Sequence, residues 1–143
     1  MHEKLKLSGV AIAFLGETRG KRGGAYFNDP FVVCCAPCTP GGDYGCEVWF
    51  NTSVVLGSCG TRNVKFDRGD FTIIESDPRY VFASGNTPCM KGLFISAHAP
   101  YKGEISNWWH KYYSDIARYS SYFHNYIAGI DADTRFPSNF PPH

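Results

Sequence analysis

The chain has 143 residues, of which 43% are hydrophobic and 16% aromatic, and its formal net charge is +1. That length suits one domain able to bury roughly 70% of its unfolded surface, and the composition excludes a disordered or collagen-like chain. A near-neutral chain sets up no global field toward nucleic acid, so a polyanion would have to be held by local basic groups.

The first residues, Met1 to Lys6, carry two lysines and lead into an apolar run from Leu7 to Leu15, the outline of a short signal peptide. Ser8 and Gly9 interrupt that run, and no small-x-small cleavage site follows, so Gly9 to Leu15 is read as a buried strand. Nothing approaches the roughly 20 apolar residues of a bilayer span. Residues 16–45 are rich in Gly, Pro, Thr and Asp, with Gly23-Gly24 and Pro40-Gly41-Gly42 as turn signals. They read as an elaborated surface loop, long for a compact domain. Within it, Arg19-Gly20-Lys21-Arg22-Gly23-Gly24 is basic and glycine-rich. It reads as a solvated loop, with a segment that lies along a nucleic-acid backbone as the alternative. It lacks the Gly-x-x-x-x-Gly-Lys-Ser/Thr pattern of a phosphate-binding loop.

Cys46 to Phe50, Phe71 to Glu75 and Tyr80 to Ala83 read as strands, with Asp77-Pro78-Arg79 as the turn between the last two. Residues 91–97 form a further apolar run suited to a sheet centre. From Glu104 to Phe123, Ile105, Trp108, Trp109, Tyr112, Ile116 and Tyr119 follow helical spacing, and Ser106 is a candidate cap. Trp108, Trp109, Tyr112 and Tyr113 have the spacing of core residues, with Trp109 or Tyr113 on the exposed flank; stacking on bases is the alternative. A strand at 126–131 follows. Strand, helix and strand together make a β-α-β unit that delivers His98 and Asp131 to neighbouring strand ends. The tail from Phe136 is proline-rich coil.

Six cysteines, Cys34, Cys35, Cys38, Cys46, Cys59 and Cys89, allow free thiols, disulfides or a metal site. Cys35-Ala36-Pro37-Cys38 is one ligand pair, but the second pair of a structural zinc is missing. Free thiols are the preferred reading, since a core of this size needs no staples.

The ordered set Ser8-Gly9-Val10-Ala11-Ile12, Gly45-Cys46-Glu47-Val48-Trp49, Glu75-Ser76-Asp77-Pro78-Arg79, His98-Ala99-Pro100, Asn107-Trp108-Trp109 and Ile130-Asp131-Ala132-Asp133 resembles the endonuclease/exonuclease/phosphatase superfamily, in particular its retroelement-type and protist members. The likeness runs from about residue 8 to 136, with residues 137–143 as a tail. It implies an α+β fold, part of a two-sheet αββα sandwich of the deoxyribonuclease I-like kind. It also implies a phosphodiester hydrolase dependent on magnesium or manganese, acting on nucleic acid or another phosphodiester in an intracellular, nuclear or cytoplasmic, setting. By position, Asp131 corresponds to the aspartate that orients or deprotonates the attacking water, His98 to a phosphate contact, and Asp133 to an asparagine beside the scissile phosphate. Asp131 and Asp133 are the candidate metal ligands.

This sequence departs from the family in two ways. An ionised Asp133 accepts hydrogen bonds where an asparagine would donate one. The family's strands before Ser8 and after Asp133, with the main metal-binding glutamate, have no counterpart here. The expectation is a partial domain with an incomplete site, open at its sheet edges to association. A non-catalytic interaction module of the same fold and a small secreted cysteine-containing protein are the alternatives.

Overall fold

The computed structural model describes residues 1–87, 90–98, 105–123 and 125–131, the side chains of Ile105, Ser106, Trp108, Trp109, Ser120 and Asp131 excepted. Two four-stranded sheets make up its middle. Strands β1 (Ile12–Gly16), β2 (Gly24–Asn28), β3 (Phe31–Ala36) and β4 (Cys46–Asn51) form the first, in the order β1-β4-β3-β2 and antiparallel throughout. A short ribbon of β5 (Gly57–Cys59) and β6 (Arg62–Val64) links it to the second sheet. That sheet holds β7 (Phe71–Asp77), β8 (Tyr80–Asn86), β9 (Lys91–His98) and β10 (Tyr126–Asp131), in the order β10-β9-β8-β7. Only the β9–β10 pair is parallel, as a strand–helix–strand crossover requires, and α2 (Ile105–Ser120) is that crossover.

Side-chain alternation along the strands sorts the apolar residues into three layers. Val32, Cys34, Val48 and Phe50 of the first sheet meet Val81, Ala83 and Phe94 of the second. Phe50 stacks on Phe71 with ring centroids 3.7 Å apart, a contact of the kind that adds about 0.5–1.5 kcal/mol beyond the area buried. The intervening residues Phe31, Val33, Cys35 and Trp49 face outward and pack under Leu5 of a short helix α1 (His2–Ser8). On the far side, Tyr80, Phe82, Leu93, Ile95 and Ala97 pack against Tyr112, Ile116 and Tyr119 of α2. The layers therefore run α1, sheet, sheet, α2, an α+β sandwich.

Partly buried hydrogen bonds pin α2 to its sheet. The Tyr80 hydroxyl donates to Asp115 Oδ2 at 2.7 Å, and the Tyr119 hydroxyl donates to Glu75 Oε2 at 3.0 Å. Tyr112 is buried and Tyr113 is 60% exposed, the division that helical spacing predicts.

Three expectations need correction. The segment 16–45 is not one loop: it contains the β2–β3 hairpin, and every residue of β3 is buried. The run Phe31 to Ala36 is covered on both faces, so it carries no polar alternation and its glycine-rich flanks dominate the reading. The first strand begins at Ile12 rather than Gly9, because Gly9 ends α1 in the left-handed conformation at φ 68°. Ser106 lies inside α2, not at its cap. Cys34, Cys35, Cys38, Cys46 and Cys59 are free thiols, and Cys89 lies outside the described residues. Among the described residues no helix is long and apolar enough to cross a membrane.

Candidate functional site

β9 has two faces with different tasks. Leu93, Ile95 and Ala97 point to α2, while Phe94 belongs to the inter-sheet core and the Ser96 hydroxyl donates to the Leu15 carbonyl at 3.1 Å. His98 continues the second series at the last position of the strand. Its side chain is thereby aimed between the sheets, at their open end. Its backbone N–H donates to the Arg79 carbonyl at 2.7 Å.

The His98 ring is buried, 8% exposed, and its Nε2 lies 2.9 Å from Oε1 of Glu17, a carboxylate that is 52% exposed. A carboxylate beside one ring nitrogen fixes the imidazole's orientation and favours a proton on that nitrogen. The Tyr44 ring stands edge-on to His98 at 5.7 Å, and the Arg79 guanidinium lies over Tyr44 at 4.7 Å with Nη2 donating to the Tyr44 hydroxyl at 3.2 Å. Asp77 accepts from the Arg79 amide at 3.0 Å and pairs with Lys111 at 3.0 Å. These residues come from the end of β1, the β3–β4 loop and the β7–β8 turn.

The two loops over the site are joined backbone to backbone. Thr18 N–H donates to the Gly45 carbonyl at 3.1 Å and Arg19 N–H to the Tyr44 carbonyl at 2.9 Å, while Gly45 N–H reaches the Pro78 carbonyl at 2.7 Å. Glu17, Arg19 and Tyr44 hold positive φ of 50°, 54° and 66°. Each such non-glycine residue costs on the order of 1–2 kcal/mol. Of these, Glu17 and Tyr44 contact His98 and Arg19 is hydrogen-bonded to Tyr44, a clustering of the kind seen at functional sites.

β10 runs beside β9 with Asp131 and His98 as direct backbone partners. The two sequence-predicted strand ends are therefore neighbours. The side chain of Asp131 and all of Asp133 lie outside the described residues. Beneath the strand ends is an open cleft of about 380 Å³ lined by Phe14, Gly16, Ser96, Ala97, Gly129 and Ile130. Gly16, Ala97 and Ile130 each precede a residue at the rim, namely Glu17, His98 and Asp131. Gly129 is required there, since a Cβ would stand 2.5 Å from the Phe14 Cβ.

A hard divalent cation takes six or more oxygen ligands, usually from several carboxylates. At this end Glu17 is engaged by His98 and Asp77 by Lys111. Among the described residues no group of three or more His, Cys, Asp or Glu could hold a metal. Those residues by themselves do not fit magnesium or manganese. Glu17, Tyr44 and Arg79 were not found by sequence reasoning. They lie 81, 54 and 19 positions from His98, and only the sheet pairing brings them to it.

No protein-family model matches the chain, and neither does any curated protein sequence. Among solved structures it is similar to the endonuclease domain of TRAS1, a telomere-specific non-LTR retrotransposon, at 15% identity and a TM-score of 0.57. The match covers 94% of this chain and 52% of that one, so this chain spans about half the length of that domain. The fold is deoxyribonuclease I-like and partial.

Proposed function

We propose that this chain carries part of a phosphodiester hydrolase site, with nucleic acid as its substrate class. The observation that supports this most is the buried His98, held by Glu17 at 2.9 Å and placed by strand register next to Asp131. In-line displacement at phosphorus needs a positioned water and donors aimed at the phosphate oxygens. In this reading His98 contacts a phosphate oxygen, and its hydrogen bond to Glu17 at 2.9 Å fixes the orientation of the ring. Asp131 orients the attacking water and takes its proton. The retrotransposon endonuclease shares the fold, which favours a nuclease over other hydrolases of phosphate esters. A divalent-cation requirement belongs to this proposal, and the described residues do not supply the ligands for it. An intracellular, nuclear or cytoplasmic, setting goes with that substrate.

Plasmid nicking with magnesium or manganese tests the proposal. His98→Ala and Asp131→Ala are each expected to slow nicking by about 100-fold or more, the usual worth of a positioned acid–base group. Nicking that survives both substitutions refutes the assignment. A second reading, a nucleic-acid-binding module without hydrolysis, is favoured by aspartate at 133, where an asparagine donor is expected. Oligonucleotide binding without nicking selects that reading. Absence of both binding and nicking refutes the two together.

A further inference from the structure

The basic loop after β1 is not a free tether. Gly20 O accepts from Cys38 N–H at 2.8 Å, and the Arg19–Tyr44 and Thr18–Gly45 bonds hold the same segment one to two residues earlier. It lies against the β3–β4 loop as an irregular ladder. Arg19, Lys21 and Arg22 are all exposed on it. The Arg22 guanidinium lies over the Tyr26 ring, 3.7 Å from its centroid, a cation–π contact that positions the group on the loop. None of the three has a carboxylate within ion-pair distance among the described residues. Glu47 is an acidic neighbour of the segment, with Oε1 3.4 Å from a Cβ built on Gly20, and its Oε2 accepts from Trp49 Nε1.

These cations start two residues from Glu17, which touches His98. From Arg19 to Arg22 the chain spans at most about 11 Å. A duplex presents several phosphates over that length, one charge per about 1.7 Å of axis. Because the backbone from Thr18 to Gly20 is hydrogen-bonded and Arg22 is stacked, part of the ordering cost of binding is already met. A near-neutral protein thus presents three exposed cations on a segment that begins two residues after the carboxylate bound to His98, in a form that fits a strand running past it. An acidic peptide or an anionic lipid surface would gain nothing from that adjacency.

We infer that Arg19, Lys21 and Arg22 form a phosphate track that grips the nucleic-acid backbone next to the His98 site. The inference rests on the reading of that site as a nucleic-acid phosphodiester site, and it names the surface that holds the substrate.

Fluorescence anisotropy with a labelled duplex and a labelled single strand tests it, using the full chain. The variant is Arg19→Ala/Lys21→Ala/Arg22→Ala. The control is Lys4→Ala/Lys6→Ala/Lys91→Ala, which removes the same charge from exposed positions on α1 and at the start of β9, away from the site. Three phosphate contacts correspond to a slope of about 2.7 in log affinity against log salt for a duplex, so raising salt about fourfold weakens the parent about 40-fold more than the track variant. For the single strand the same contacts give about 20-fold. The control keeps the parent's slope. Equal losses in the two variants, or equal affinity for vesicles containing anionic phospholipid at matched phosphate, overturn the inference. Parent binding that the track variant leaves unchanged also overturns it, while the site reading stands on His98→Ala and Asp131→Ala. A parent that binds no nucleic acid refutes the site reading along with it.

Discussion

Gly45 is where the two site loops and the β7–β8 turn come closest, and replacing it by alanine should break that junction. Its φ is +95°, and a Cβ there would stand 2.8 Å from Thr18 Oγ1 and 3.1 Å from the Arg19 backbone nitrogen. The first contact is with a side-chain hydroxyl that is buried without a hydrogen-bond partner among the described residues. The second is with backbone, so the loop itself must move. Positive φ at alanine costs about 1–2 kcal/mol, and a forced displacement in a packed region about 1–3 kcal/mol. Unfolding entropy near 2.1 cal/mol/K per residue then converts a total of about 2–5 kcal/mol into a Tm loss of about 7–17 °C for this length. Two other glycines separate the causes. Gly42 has φ +85° with nothing within 4 Å, so Gly42→Ala should show the conformational cost alone. Gly57 has open space and no positive φ, so Gly57→Ala should be near neutral. Thermal unfolding followed by circular dichroism ranks the three. Equal shifts for Gly45→Ala and Gly42→Ala would show that the close approach contributes nothing. A Gly45→Ala protein as stable as Gly57→Ala would refute the reasoning altogether.

Two further outcomes follow from the geometry. Gly129→Ala drives a Cβ to 2.5 Å from Phe14 and should lever β10 away from β1, costing about 1–3 kcal/mol; an unchanged Tm with unchanged oligonucleotide binding would contradict that packing. Burial pushes the Cys34 and Cys46 thiols up from 9.0 to about 12, and the Tyr112 phenol up from 10.0 to about 12. Folded values above the unfolded ones mean that stability is complete below pH 9 and is lost as pH rises toward 12, by about 1.4 kcal/mol per unit for each thiol. The urea midpoint should therefore fall between pH 9 and 11, and a flat profile would show that these thiols are not buried. In the native protein exposed Cys59 should react with a thiol reagent, while Cys34 and Cys46 should react only on unfolding.

The second sheet was legible because its strands announce themselves in two different ways. Lys91 to His98 and Tyr126 to Asp131 are apolar runs on either side of a helix with clear periodicity, which is the signature of a parallel crossover. The β7–β8 hairpin shows through its Asp-Pro-Arg turn. The β2–β3 hairpin stayed hidden because β3 is buried on both faces, and because the glycines and prolines around it are those of the site loops. The candidate site divides in the same way. His98 and Asp131 end strong strands, so sequence finds them. Glu17, Tyr44 and Arg79 reach His98 only through sheet pairing, and the conformations of Glu17 and Tyr44 run against local preference, so no local pattern marks them.

The two-faced character of β9 makes the site a matter of parity. Leu93, Ile95 and Ala97 can reach α2 only if Phe94, Ser96 and His98 face the other way. A slip of one residue would bury Ser96 under the helix and present Ala97 to Glu17. The apolar partition that selects the correct register therefore also proofreads the histidine. Any fold of this chain that packs α2 properly has already placed His98 at the mouth of the cleft. Substitutions in the face of α2 that packs on β9 should blur the site before they unfold the protein.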